Sequence, residues 1–93
     1  MARKPYFAWT PGVLSDSVDR VTTLLDPRTA SVYELNEVGA MVWQECRKPS
    51  DAATVASQLK KAFPKQPLAT LRSEAEAFID QLANAGLLSR VAE

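Results

Sequence analysis

The chain contains no histidine, a single cysteine (Cys46), and no apolar run that approaches the ~20 residues a bilayer-spanning helix needs. Each absence removes a class of function. Without histidine and with one thiol, the common zinc sites and the Ser/His or Cys/His nucleophile pairs cannot be assembled within the chain. One cysteine also rules out an internal disulfide. The amino terminus, Arg3-Lys4-Pro5-Tyr6-Phe7-Ala8-Trp9, places aromatics after basic residues. Its apolar part is too short for a secretory signal, and Pro11-Gly12 ends it. The expectation is a cytoplasmic, non-catalytic protein with no cofactor, no metal and no membrane association.

What is present is ordinary globular material. The 93 residues are 46% hydrophobic and 24% charged, enough for one domain that buries roughly 60–65% of the surface its unfolded chain exposes. Eleven basic and eleven acidic side chains cancel, but unevenly along the chain. Arg47, Lys48, Lys60, Lys61 and Lys65 gather in one region, whereas Glu74, Glu76 and Asp80 follow with only Arg72 against them.

Local patterning divides the chain. Residues 1–11 lack periodicity and read as an arm, with Tyr6, Phe7 and Trp9 covering an apolar patch of their own domain. Val13 to Val18 suits a short strand turning over Asp16 to Asp19. Arg20 to Leu25 alternates, with Val21, Thr23 and Leu25 on one face and Thr22 and Leu24 on the other. Asp26-Pro27 turns the chain, and Ser31 to Leu35 returns as the second arm of a hairpin.

Helix signals then take over. Asn36 suits an N-cap, with Glu37 at the positive end of the helix dipole. A helix follows from Glu37 to Cys46, with Val38, Met41, Val42 and Cys46 as its apolar stripe and Trp43 at the edge. Gly39 inside it costs ~1 kcal/mol relative to alanine, which implies that another part of the chain approaches closely there. Pro49 ends this helix and Ser50 caps the next, whose apolar face is Ala52, Val55, Ala56, Leu59, Ala62 and Phe63. Pro64 and Pro67 bracket a short connection to a third helix from about Leu68 to Ala85, with Leu71, Ala75, Phe78, Leu82 and Ala85 as core. A second stripe, Arg72, Glu76, Ile79 and Ala83, runs beside it. Gly86 ends the helix as a left-handed residue, and 89–93 read as a frayed tail.

The resulting expectation is an α+β chain: a winged helix-turn-helix with an N-terminal three-stranded antiparallel sheet followed by three helices. Three functions are open to it. One is a DNA-binding regulator, disfavoured by the acidic third helix, which would repel the phosphates that supply most affinity. The second is capture of an extended peptide along a sheet edge. The third is a structural subunit with no ligand.

Leu25-Asp26, Arg28-Thr29, Tyr33, Leu35-Asn36, Gly39-Ala40 and Val42-Trp43, followed by Glu74, Phe78-Ile79, Leu82 and Gly86-Leu87-Leu88, resemble the pattern of the PqqD-like family over about Gly12 to Leu88. Residues 12–88 are accordingly read as the domain. The resemblance implies a recognition element for ribosomally synthesised, post-translationally modified peptides, serving natural product biosynthesis as a peptide chaperone. In that family the leader segment of a precursor peptide adds as a strand to the third strand of the sheet, lies against the third helix, and is presented to a maturation enzyme. That partner would be a radical-dependent modifying enzyme or a leader peptidase. The resemblance implicates Val32, Tyr33, Glu34 and Leu35 on the strand, and Ala75, Glu76 and Ile79 on the helix. Periodicity adds Arg72 and Ala83. Three departures stand out: family members usually carry glycine at the position of Ala30, commonly an Asp-Gly turn where this chain has Arg47-Lys48-Pro49, and a larger apolar residue at the position of Ala75.

Overall fold

The computed structural model describes residues 6–91. Within them the chain runs β1 (Tyr6–Trp9), β2 (Leu14–Val18), β3 (Val21–Asp26), β4 (Ser31–Leu35), α1 (Glu37–Glu45), α2 (Ala52–Ala62), α3 (Leu68–Asn84) and β5 (Leu88–Val91). The fold is α+β. The expected three-stranded antiparallel sheet is β2-β3-β4, and a further two-stranded sheet pairs β1 with β5.

That second sheet corrects the reading of an aperiodic arm and a frayed tail. Tyr6–Trp9 pair antiparallel with Leu88–Val91 from the other end of the chain. β1 is also held on its other side, where Phe7 and Ser50 exchange backbone hydrogen bonds of 2.8 and 2.9 Å and the Trp9 amide donates to the Cys46 carbonyl. Four-residue strands give period-two alternation too few positions to register, and their pairing is wholly non-local. Residues 1–5 and 92–93 of those segments lie outside the described residues.

The β2–β3 turn also falls later than expected. It consists of Asp19 and Arg20, both at positive φ (50° and 68°), between the paired Val18 and Val21. Two left-handed residues make the type I′ connection that matches the twist of the flanking strands. On β3 the inward face is Thr22, Leu24 and Asp26, all buried. The β3–β4 turn places Ala30 at φ 55°, the left-handed conformation for which glycine is the usual choice.

The α1 cap is as expected: the Asn36 side chain accepts from the Gly39 amide at 2.8 Å. The inward face is rotated from the expected stripe, however. Gly39, Val42 and Trp43 are buried, as is the C-cap Cys46, while Val38 and Met41 are only partly covered. Trp43 moves from the edge to the centre because Trp9, on the unforeseen β1, stacks over it. Cys46 is enclosed enough that burial, with a smaller contribution from Glu45, pushes its thiol up to about 12. It therefore stays protonated and poorly nucleophilic at neutral pH.

The cap of α2 is Asp51 rather than Ser50. The Asp51 carboxylate accepts from the Thr54 amide at 2.8 Å, and the Ser50 hydroxyl instead donates to the Glu45 carbonyl at 2.8 Å. Both residue types cap well, and the backbone bridge from Ser50 to β1 decides between them. Val55, Ala56 and Leu59 of α2 pack on Leu71, Ala75, Ile79 and Leu82 of α3 in one core that also holds Leu24, Leu35, Trp43, Leu87 and Leu88. α3 ends at Gly86 (φ 80°), with the Gly86 amide donating to the Ala83 carbonyl and the Leu87 amide to the Leu82 carbonyl. This paired closure returns the chain sharply and brings Leu87 back under the helix end. Among the described residues no helix is long and apolar enough to cross a membrane.

Candidate functional site

The order β2-β3-β4 leaves β4 at an edge of its sheet. Which of its backbone groups are free follows from the hairpin. In a two-residue I′ connection the flanking pair, Val18 and Val21, exchanges both backbone hydrogen bonds. Backbone groups alternate sides along a strand, so Val21, Thr23 and Leu25 address β2, and Thr22, Leu24 and Asp26 address β4. Their partners across the ladder are Leu35, Tyr33 and Ser31. Val32 and Glu34 therefore direct their N–H and C=O groups away from the sheet. Side chains alternate as well: Val32 and Glu34 are exposed on the outer face, while Leu35 is buried and Tyr33 half-buried on the inner one.

Beside this edge β4 and α3 stand apart and leave a groove of about 640 Å³. Val32 to Asn36 form one wall; Phe78, Gln81, Leu82 and Ala85 of α3 form the other, with Leu87. Arg28 ties the two walls' supports together. Its guanidinium donates twice to the Asp26 carboxylate, Nε to Oδ1 and Nη2 to Oδ2 at 3.1 Å each, and Nη2 also donates to the Gly86 carbonyl at 3.1 Å. The hydrogen bonds from Arg28 hold the buried Asp26 carboxyl below its ordinary range against the cost of desolvation. One side chain thus links the β3–β4 turn to the end of α3.

Phe78 is set by the helix behind it. A Cβ on Gly39 would stand 2.9 Å from Phe78 Cε1, closer than carbon atoms pack. The close approach expected at Gly39 is therefore made by the ring that forms part of the groove wall.

The structure divides the expected site residues. Val32, Tyr33, Glu34 and Leu35 lie together on the groove. Arg72, Glu76 and Ile79 lie elsewhere, around a separate depression of about 300 Å³ shared with Asp51, Ala52, Ala53 and Asp80. There Arg72 Nε donates to Glu76 Oε1 at 3.3 Å, an exposed pair that contributes little. Ala75 is fully buried in the core, and Ala83 is half-buried and borders neither space. The reason is angular. At 100° per residue the stripe Phe78, Gln81, Leu82, Ala85 points about 140° away from the line Arg72, Glu76, Ile79, Ala83. Spacing assigns Phe78, Leu82 and Ala85 to the core and Leu87 to the cap contact with Leu82, and gives Gln81 neither role. A stripe covered along only part of its length carries the same periodicity as one covered throughout. The sequence signal available was Gln81, a polar residue inside an otherwise apolar stripe.

Fold and groove together define a small α+β domain with one open sheet edge walled by a helix. The sequence profile of the family described as Coenzyme PQQ synthesis protein D (PqqD) matches residues 22–88, and the chain belongs to that family. A comparison with curated proteins gives no match. Among solved structures the chain is similar to TbiB1 in complex with the TbiA(beta) leader peptide, at a TM-score of 0.79 and 22% identity over 92% of this chain and 99% of that one. It is also similar to lasso peptide synthetase B1 complexed with the leader peptide, at a TM-score of 0.76 and 22% identity over 89% and 96% of the two chains. At such identity the likeness concerns the fold.

Proposed function

We propose that the protein is a non-catalytic, cytoplasmic recognition element that captures the leader segment of a ribosomally made precursor peptide and delivers it to a maturation enzyme. The observation that carries this reading is the open edge of β4 directly beside the groove formed with α3. An extended guest hydrogen-bonds to the outward backbone groups of Val32 and Glu34, and alternate guest side chains enter the space bounded by Tyr33, Leu35, Phe78, Leu82 and Ala85. Main-chain bonds supply affinity, and the groove supplies selection. Family membership supports this reading, as do two structural neighbours solved with leader peptides.

The three helices and the projecting β2–β3 hairpin are read as a winged helix-turn-helix used for peptide rather than DNA. α3, the helix that would enter a major groove, carries Arg72 against Glu74, Glu76 and Asp80, a balance that opposes phosphate binding. The pairing of β1 with β5 supports a domain that reaches Tyr6 and Val91, beyond the 12–88 read from the sequence, and the partner enzyme is a radical-dependent modifying enzyme or a leader peptidase.

Titration of isotopically labelled protein with the leader of a precursor encoded beside it tests the reading. Amide shifts are expected along Val32 to Leu35 and on the Phe78, Gln81, Leu82 and Ala85 face. Shifts confined to Arg72, Glu76 and Ile79, or to the basic flanks of α2, would overturn it.

A further inference from the structure

The geometry points to Glu34 as the residue that fixes the register of the guest strand, by selecting a lysine or arginine at the guest position directly opposite it. This deepens, and rests on, the strand-addition reading. Three observations converge on it. Glu34 is exposed on the outer face of the edge strand and borders the groove. Its backbone is one of the two free-edge positions, so a guest residue paired with it would be a hydrogen-bonded partner with its side chain on the same face. Finally, among the described residues Glu34 makes neither a hydrogen bond nor an ion pair.

The sheet offers Glu34 no base. Its neighbour across the ladder is Thr23, and the neighbour of Thr23 on β2 is Asp16. The row that a guest extends therefore reads Asp16, Thr23, Glu34, with two carboxylates of one sign and nothing to offset them. An acidic guest residue placed fourth in that row is repelled, and a basic one is attracted. The adjoining row is apolar throughout: Leu14 pairs with Leu25, and Leu25 with Val32, with Leu14 and Val32 strongly exposed. On its outer face the guest strand is thus specified as an apolar residue opposite Val32 and a base two positions away opposite Glu34. The alternation is the same for either strand direction. A slip of one residue turns both side chains to the inner face, so the charge distinguishes registers that backbone bonding alone would accept.

Selection from a displayed library of random extended peptides, run in parallel on the wild-type protein and on Glu34→Lys, tests the inference. Wild-type binders are expected to be enriched in Lys or Arg at one position two residues from an apolar one. Glu34→Lys binders are expected to favour Asp or Glu at that position. For a single selected peptide, Glu34→Lys should weaken binding about two- to fivefold or more, and exchanging the peptide's base for glutamate should restore it. The effect should shrink in high salt. Binders from both proteins with the same charge preference would overturn the role of Glu34 while leaving strand addition in place. Binders unaffected by a change at the β4 edge would overturn strand addition itself, and this inference with it.

Discussion

Trp9 lies flat on Trp43, with ring centroids 4.7 Å apart and planes within 9°, and its indole N–H donates to the Trp43 carbonyl at 2.6 Å. The stack fastens β1 to the helix at the centre of the core. Trp43 is fully buried and its own indole nitrogen has no hydrogen-bond partner among the described residues, where the ring is held by packing rather than by polar contacts. Trp9→Ala should destabilise the fold by about 2 to 4 kcal/mol, combining lost burial with the aromatic pairing. Urea unfolding would check this, and a change within a few tenths of a kcal/mol would mean the stack is dispensable.

Gly39 couples stability to the groove. Gly39→Ala gains about 1 kcal/mol of helix propensity but pushes the Phe78 ring toward the groove, so thermal stability should change little while peptide affinity falls. Gly39→Val adds two more methyl groups and should cost about 1 to 3 kcal/mol, several degrees in melting temperature for a domain of this size. Unchanged affinity in Gly39→Ala would show that the ring adjusts elsewhere.

Ala30 occupies a left-handed conformation at φ 55°. Ala30→Gly relieves that strain, partly offset by the greater freedom glycine has in the unfolded chain, and should raise stability by up to about 1 kcal/mol. A lower melting temperature for this variant would contradict the strain.

Asp26 confers pH dependence of a defined sign. Its carboxyl is held below the ordinary range by hydrogen bonds from Arg28, so its folded value is lower than its unfolded one. The resulting stability is fully present above the unfolded carboxylate pKa of about 4 and is lost as pH falls through the lower folded value. Melting temperature should fall more steeply with acid in the wild type than in Asp26→Asn, with the two converging in strong acid. Parallel curves would remove Asp26 as the source.

Val32 tests the edge without touching the groove floor. Its amide faces away from the sheet, so Val32→Pro removes a free-edge donor while sparing the β3–β4 ladder, the setting in which a strand tolerates proline. Leader affinity is expected to fall at least about tenfold, with the circular dichroism spectrum retained. Undiminished binding would show that the guest does not pair with this edge.

Much of this was written locally. Asn36 as a cap, Gly39 as a point of close approach, Gly86 as a helix terminator and the Ser31–Leu35 strand each depend on a few adjacent residues, and their chemistry is legible in order along the chain. The pairing of β1 with β5, the central place of Trp43 and the capping role of Asp51 were not. All three depend on a strand at one end of the chain meeting segments remote in sequence, for which a four-residue run carries no periodic signal.

The candidate site divides in the same way. The sequence by itself determined the strand, since alternation and turn chemistry specify Ser31 to Leu35, and it determined that α3 has two apolar-bearing lines; that this strand is an edge follows from the sheet order. Only the tertiary structure decided which of those lines faces β4. The rotation of a helix about its axis is fixed by what it packs against: α3 packs on α2, with Ile79 beside Ala52 and Ala53. That leaves Phe78, Gln81, Leu82 and Ala85 beside the open strand.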